Sequence, residues 1–399
     1  MMECTARITP DLLWVGGNDR RLNLFENIFP IPRGVSYNSY LLLDEKTVLV
    51  DTVDKAISGV FFDNLTAALG GRPLDYIVVN HMEPDHAATL AEACGRYPDA
   101  QVMLTAKAAQ MAAQFFGEGL RERLHPVSEG EELVTGRHRL RFYTAPMVHW
   151  PEVMVTWDET DRVLFSADAF GTFGAVSGFL FADEVDFARD WLDDARRYYT
   201  NIVGKYGAPV QALLKKASAL DIAFLCPLHG PVWRRDIAWF VEKYQRWSTY
   251  QPEEDGVLVA YASIYGHTEN AAEVFAMALR DAGVKHVAMY DVSVTHPSYI
   301  LSDAFRFGKL ALLSATYNLG MFPAMETLLL DLKAHALQDR TVALVENGTW
   351  APAAGKQMRE VLSSMKNMRI LEPVPTIRSS LAADTREKLT DLARQLAEA

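Results

Sequence analysis

Over roughly the first 250 positions, short runs of β-branched and aromatic residues alternate with turn formers. The runs are Lys46 to Val50, Tyr76 to Val79, Gln101 to Leu104, Leu140 to Tyr143 and Arg162 to Phe165. Each has the length and composition of a strand. Helical spacing of apolar positions emerges only later, over Phe187 to Tyr199 and Ile237 to Trp247. Strands first and covering helices afterwards predict an α+β layered sandwich. The stretch Trp247 to Gly256 is polar, contains Pro252 and Gly256, and reads as a linker, which sets domains of 1–252 and 253–399. Beyond it the rhythm is strand, loop, helix. Strands are predicted at Gly256 to Tyr261, Val287 to Tyr290, Lys309 to Leu313 and Thr341 to Val345, with helices from Thr268, from Ala324, near Ala354 and from Asp384. That alternation predicts a doubly wound parallel α/β sheet.

Composition adds exclusions. A chain of 399 residues with 49% hydrophobic and 23% charged residues can bury two separate cores. No apolar run reaches the ~18 residues of a membrane span, and the first residues lack a basic segment followed by an apolar one, so no membrane association and a cytoplasmic location are expected. A net charge of -12 argues against nucleic acid as a partner. Cys4, Cys94 and Cys226 form no Cys-x-x-Cys pair, which speaks against a disulfide framework and against a fused iron-sulfur module.

Candidate chemistry begins at Asn80-His81-Met82-Glu83-Pro84-Asp85-His86, directly after the strand-like Tyr76 to Val79. At a strand end, alternate residues point the same way, so His81 and Glu83 can converge on one metal while Asp85 and His86 face another. Three later segments place ligand types in strand-end or loop contexts: His149 in Met147-Val148-His149-Trp150-Pro151, Asp168 in Ser166-Ala167-Asp168-Ala169-Phe170, and His229 in Leu228-His229-Gly230-Pro231. Singly, a loop His or an Asp after a strand is an ordinary structural residue. Their combination points to a metal site.

Together these segments resemble the metallo-β-lactamase-like superfamily, whose leading motif is His-x-His-x-Asp-His. Glu83 stands where hydrolases of that fold carry the second His, and a hard anionic oxygen there moves the preference from zinc towards iron. The full set closely resembles the flavodiiron proteins, or A-type flavoproteins. The resemblance implies an N-terminal metallo-β-lactamase-like αββα sandwich followed by a C-terminal flavodoxin-like sheet. It implies two iron ions, with His81, Glu83 and His149 on one, Asp85, His86 and His229 on the other, and Asp168 between them. Two rivals stand beside it: a dizinc hydrolase of the same fold with a passenger flavodoxin domain, and an electron carrier whose metal site is purely structural.

In the second half, the strand ending at Tyr261 leads into Ala262-Ser263-Ile264-Tyr265-Gly266-His267-Thr268 and then a helix. Hydroxyls, a flexible Gly and helix-start N–H groups suit a phosphate dianion, although such loops also serve as plain helix caps. Two further loops follow later strands. By resemblance to a flavodoxin domain binding FMN, Ser263, Tyr265, Gly266, His267 and Thr268 hold the phosphate. Ser314, Ala315, Thr316, Tyr317, Asn318, Leu319 and Gly320, with Asn347, Gly348, Thr349 and Trp350, then line the isoalloxazine. Trp350 either stacks on the ring or packs in a dimer. Tyr265 occupies a position where short-chain flavodoxins carry Ser or Thr, and its phenol still supplies a hydroxyl.

The implied enzyme is an FMN- and diiron-dependent oxidoreductase reducing dioxygen to water and/or nitric oxide to nitrous oxide. No rubredoxin-like segment or dinucleotide fingerprint is visible, so the resemblance implies an external electron donor such as rubredoxin, with a reduced deazaflavin as the other option. It also implies a head-to-tail homodimer, or a dimer of dimers, that brings one subunit's FMN to the other's irons. Tyr198 and Tyr199, on a predicted helix, are candidate hydrogen-bond donors to substrate, or core residues.

Overall fold

A computed structural model describes residues 3–399. They fall into two compact units: the chain up to Tyr199 together with Ala208–Tyr244, and Thr200–Gly207 together with Gln245–Ala399.

The first unit holds two large sheets and two two-stranded ribbons, Gly17–Asp19 with Val35–Tyr37 and Leu24–Phe25 with Phe29–Pro30. Strands Ala6–Arg7, Leu12–Trp14, Tyr40–Leu43, Thr47–Val50, Tyr76–Val78, Gln101–Thr105 and Leu124–Val127 lie side by side in that order. Pairing is antiparallel up to Thr47–Val50 and parallel beyond it. The second sheet runs Glu132–Val134, Arg139–Thr144, Met154–Asp158, Val163–Phe165, Phe224–Cys226. Leu42, Val48, Val50 and Val78 of the first sheet share one apolar core with Leu140, Phe142, Met154 and Phe165 of the second, which makes a sandwich.

Parallel pairing positions the chemistry. Val50 is in register with Val78, and Phe165 with Cys226. The segments leading to His81 and Asp51 therefore leave one strand edge together, as do those leading to Asp168 and His229.

The helices Ser58–Leu69, Leu90–Arg96 and Ala106–Phe116 depart from the expectation that helical spacing begins late. In Ala106–Phe116 the buried positions are Ala108 and Ala112, small side chains that favour helix without standing out as core residues. Its start was signalled by Thr105, whose hydroxyl accepts from the Ala108 N–H at 3.1 Å. The expected single helix from Phe187 is interrupted at Trp191 into Phe187–Asp190 and Leu192–Tyr198, followed by a π-helical turn, Tyr199–Val203.

The stretch read as a linker is shorter. Helix Ile237–Ser248 continues into it and strand Glu254–Ala262 begins inside it. Trp247 is fully buried, its indole N–H donating to Glu253 at 3.0 Å.

The second unit has a parallel sheet ordered Val287–Asp291, Glu254–Ala262, Phe307–Tyr317, Thr341–Asn347, Arg369–Ile370. This 2-1-3-4-5 order is the flavodoxin-like arrangement of a doubly wound fold. The helix Pro297–Arg306 was not foreseen, although His296 caps it and Pro297 opens it.

Arg340, 1% exposed, has no carboxylate ion-pair partner among the described residues. It donates instead to the carbonyls of Ala304 and Phe305 in the last turn of Pro297–Arg306, and to those of Tyr250 and Gln338. Burial lowers its pKa to about 10, still far above neutrality. Replacing Arg340 by Met strands these buried acceptors, and charge-assisted bonds are worth ~1.5–3 kcal/mol each. Arg340→Met should lower stability by at least ~3 kcal/mol in urea unfolding followed by flavin release. An unchanged midpoint would refute the clamp.

Candidate metal centre and flavin pocket

Asp51 lies at the end of Thr47–Val50 with φ 56°. Its carboxylate accepts from the Asn80 backbone N–H at 2.7 Å, the Asn80 side chain at 2.8 Å and the His81 N–H at 3.3 Å. This fixes how the chain leaves Tyr76–Val78. Pro84 then starts the helical turn Pro84–Ala87, which turns Asp85 and His86 inward. Asp168 sits in a turn where Ala167 (φ 52°) and Phe170 (φ 70°) both adopt the left-handed region. That strain is held by Ser166 Oγ donating to the Ala169 carbonyl and by the Phe170 N–H donating to Tyr244. Beside His229, Gly230 (φ 76°) leaves no room for a Cβ, which would lie 2.1 Å from Thr172.

The seven candidate ligands converge in two groups. Glu83 Oε2 lies 3.2 Å from His81 Nε2 and 3.0 Å from His149 Nε2. Asp85 Oδ2 lies 3.2 Å from both His86 Nε2 and His229 Nε2. Asp168 faces both: Oδ2 is 3.2 Å from the Nε2 atoms of His81 and His149, while Oδ1 is 3.2 Å from that of His86. Both oxygens of Asp85, and Oδ1 of Asp168, are buried without a hydrogen-bond donor among the described residues. Buried carboxylates in that state are strongly disfavoured unless a cation satisfies them, so the donor set fits two metal ions, one per group, spanned by Asp168.

The electrostatics agree. Burial disfavours charge on His149, but Asp168 and Glu83 outweigh it and raise its pKa to about 9. His81 and His86 are raised likewise against burial, chiefly by Asp168 for the first and by Asp85 and Asp168 for the second. Burial alone would raise Glu83 and Asp168, yet the imidazoles hold both below the carboxylate range. A raised imidazole pKa means the metal-free cluster carries protons at neutrality that a metal must displace. Metal addition to apo-protein at neutral pH should therefore release protons, and affinity should climb between about pH 6 and about pH 9. Calorimetry in two buffers of different ionisation enthalpy checks this; identical heats would refute it.

An aromatic wall surrounds the cluster. Phe25 meets His229 edge-on at 5.3 Å and Trp150 meets His81 edge-on at 5.4 Å. Tyr198 packs its ring 5.4 Å from His229, and its buried hydroxyl has no hydrogen-bond partner among the described residues. Tyr199 packs on Tyr244 instead, at 5.0 Å. Two residues outside the sequence-derived set also touch the ligands. Glu26 turns its carboxyl to Glu83, and burial and that neighbour push it up to about 8. Glu152 accepts from His81. Nothing local marked either one.

In the second unit, a cavity of about 860 Å³ opens at the C-terminal ends of the parallel strands. From the first loop, Ser263, Tyr265, His267 and Thr268 line it; from the second, Ala315, Thr316, Tyr317, Asn318 and Leu319; from the third, Asn347, Gly348, Thr349 and Trp350. Gly266, Ser314 and Gly320 shape the loops without lining the cavity. Gly266 takes φ 87°, and its N–H donates to Ser263 Oγ. Ser314 Oγ accepts from the Phe322 N–H, and Gly320 lies in the short strand Gly320–Met321. Ile264, Ala351 and Ser379 are additional lining residues. Asn347 ties the loops together by donating to Thr268 Oγ1 at 3.3 Å and to the Ser379 carbonyl at 3.1 Å. No Lys or Arg lines the cavity, so a phosphate there depends on hydroxyls, His267 and the N-terminus of helix His267–Asp281. Tyr265 and Trp350 stand 89% and 82% exposed among the residues that line it.

Comparison with known proteins agrees with both halves. Residues 35–230 match the ODP family beta lactamase pattern. The nitric oxide reductase of Moorella thermoacetica is 30% identical over 399 residues, covering 99% of each chain. The anaerobic nitric oxide reductase flavorubredoxin of Aeromonas hydrophila is 32% identical over 356 residues, 88% of this chain and 71% of that protein. Among solved structures, the rubredoxin oxygen:oxidoreductase of Desulfovibrio gigas superposes with a TM-score of 0.92 at 27% identity, covering 99% of this chain and 98% of that one. No helix among the described residues is long and apolar enough to cross a membrane.

Proposed function

The chain belongs to the flavodiiron protein family, and on that premise we propose that this oxidoreductase reduces nitric oxide to nitrous oxide, dioxygen to water, or both. The observation that carries the proposal is the division of Asp168: one carboxylate oxygen faces His81 and His149, the other His86. In this assignment His81, Glu83 and His149 would hold one iron, Asp85, His86 and His229 the other, and Asp168 would serve both. FMN occupies the cavity of the C-terminal domain, with a domain division near residue 252. The hydrolase alternative is disfavoured by Glu83, whose hard oxygen stands where an imidazole would suit zinc.

When bound, FMN and the iron pair supply and store single electrons; two electrons and two protons convert two nitric oxides to nitrous oxide and water, and four of each convert dioxygen to two waters. The protein's residues do the rest. Phe25 and Trp150 keep bulk water from the ligands, and the Tyr198 hydroxyl is free to donate a hydrogen bond to a substrate oxygen. Ser263, His267 and Thr268 would hold the flavin phosphate, and Trp350 at the rim would cover the ring.

Electrons enter from an external carrier, rubredoxin or a similar small donor. A head-to-tail homodimer, alone or paired as a dimer of dimers, brings each FMN to the partner's irons, and the exposed apolar rim of the flavin cavity supports such a contact. A fully active monomer in sedimentation would overturn the dimer. The reaction is tested by reducing the iron- and FMN-loaded enzyme anaerobically, then adding nitric oxide and dioxygen separately. Reoxidation with stoichiometric nitrous oxide, and with water free of peroxide, is expected; reoxidation by neither gas would sink the proposal.

A further inference from the structure

The two halves of the ligand cluster differ in what stands behind their imidazoles. His229 Nδ1 meets the neutral Ser36 carbonyl at 2.8 Å, and His86 Nδ1 is buried without a hydrogen-bond partner among the described residues. His81 Nδ1 instead meets a carboxylate: Glu152 Oε1 at 2.8 Å. Glu152 is itself 2% exposed and pinned at both ends. The Met82 N–H donates to the same Oε1 at 3.0 Å, and Thr105 Oγ1 donates to the Glu152 carbonyl at 2.9 Å. Its second oxygen, Oε2, is buried with no hydrogen-bond partner among the described residues, so the side chain's polar contacts are spent on the His81 loop.

A carboxylate on Nδ1–H fixes the tautomer that leaves the Nε2 lone pair free, and it makes that nitrogen a stronger donor. His81 Nε2 points at Glu83 and Asp168, not at Asp85. Asp51 also lies near His86 but makes no hydrogen bond to its ring, so the carboxylate bound directly to a ligand imidazole acts on one metal position only.

We infer that Glu152 is a positioning residue which, through His81, makes the two metal positions unequal: the His81–Glu83–His149 position holds its ion more tightly and favours its more oxidised state. The inference rests on the proposed diiron assignment and adds an order to it.

Iron release to a chelator under anaerobic conditions, measured on the FMN-loaded holoenzyme, tests it. Two phases are expected from the unaltered protein. In Glu152→Gln, which keeps an acceptor for His81 but removes the charge, the slow phase should accelerate by roughly 10–100-fold while the fast phase holds. In a potentiometric titration followed by electron paramagnetic resonance, the same variant should move the more negative iron midpoint upward. Glu152→Asp, which retains the charge, should lie between Gln and the unaltered enzyme. Far-ultraviolet circular dichroism and the urea midpoint of the metal domain, which holds Glu152, report that the variants remain folded. A single release phase from the unaltered enzyme, or unchanged phases and midpoints in Glu152→Gln, overturns the inference while leaving the diiron assignment intact. Two irons retained in His81→Ala would overturn the assignment itself.

Discussion

Asp168→Ala should leave FMN bound at one per chain and abolish gas reduction. Asp168 is fully buried, and its two oxygens serve different ligand groups, so no neighbour can replace it. Truncation removes the carboxylate that outweighs burial for His81 and His149, leaving adjacent buried imidazoles without their countercharge. Loss of an outer partner alone costs a metal site about 10–100-fold in affinity, and removal of a direct bridging ligand exceeds that. Iron content should fall below two per chain, and turnover with either gas should drop by more than about a hundredfold. Asp168→Asn, which keeps the shape but not the charge, should behave nearly as badly. The flavin cavity is lined entirely by residues 263–379, so its spectrum and stoichiometry should not change. Retained turnover would refute the bridging role.

The complementary variant, Ser263→Ala with Thr268→Val, should empty the flavin half and spare the metal half. Because no Lys or Arg lines the cavity, each hydroxyl carries a large share of phosphate binding. Hydrogen bonds to a charged group are worth ~1.5–3 kcal/mol, so losing two weakens FMN by about 3–6 kcal/mol, or roughly a hundredfold to ten-thousandfold. Thr268 Oγ1 also accepts from Asn347, so its loss loosens the bridge to the third loop. The purified double variant should contain little FMN, a normal iron content, and no electron transfer from an external donor. Equilibrium dialysis against FMN measures the change; an unaltered dissociation constant would sink the phosphate assignment.

Much of this chain is legible because its chemistry lies in short segments at strand ends. His81 to His86 follow Tyr76–Val78 directly, and Asp168 and His229 each lie three positions past strands that pair in register. The flavin loops follow strands Glu254–Ala262, Phe307–Tyr317 and Thr341–Asn347 in the same way. Where local signals are weak, legibility fails. The helix Ala106–Phe116 buries only alanines, Ala108 and Ala112, and the stretch Trp247 to Gly256 absorbs the end of one element and the start of another.

Side-chain partnership is a different matter. Tyr198 and Tyr199 are neighbours in sequence, yet one ring faces His229 and the other faces Tyr244. Glu152 follows His149 by three residues, yet it serves His81, 71 positions away. Ser379, in no recognisable loop motif, holds Asn347 and Thr349 in place. Residue types and their spacing along strands are local properties, and they suffice for the kind of element and the family. Burial, the direction of each pKa shift and the partner behind each ligand depend on distances that close only when the sheets assemble. Desolvation and short-range charge interactions, which decide how a ligand behaves, act through space and carry no signature along the chain.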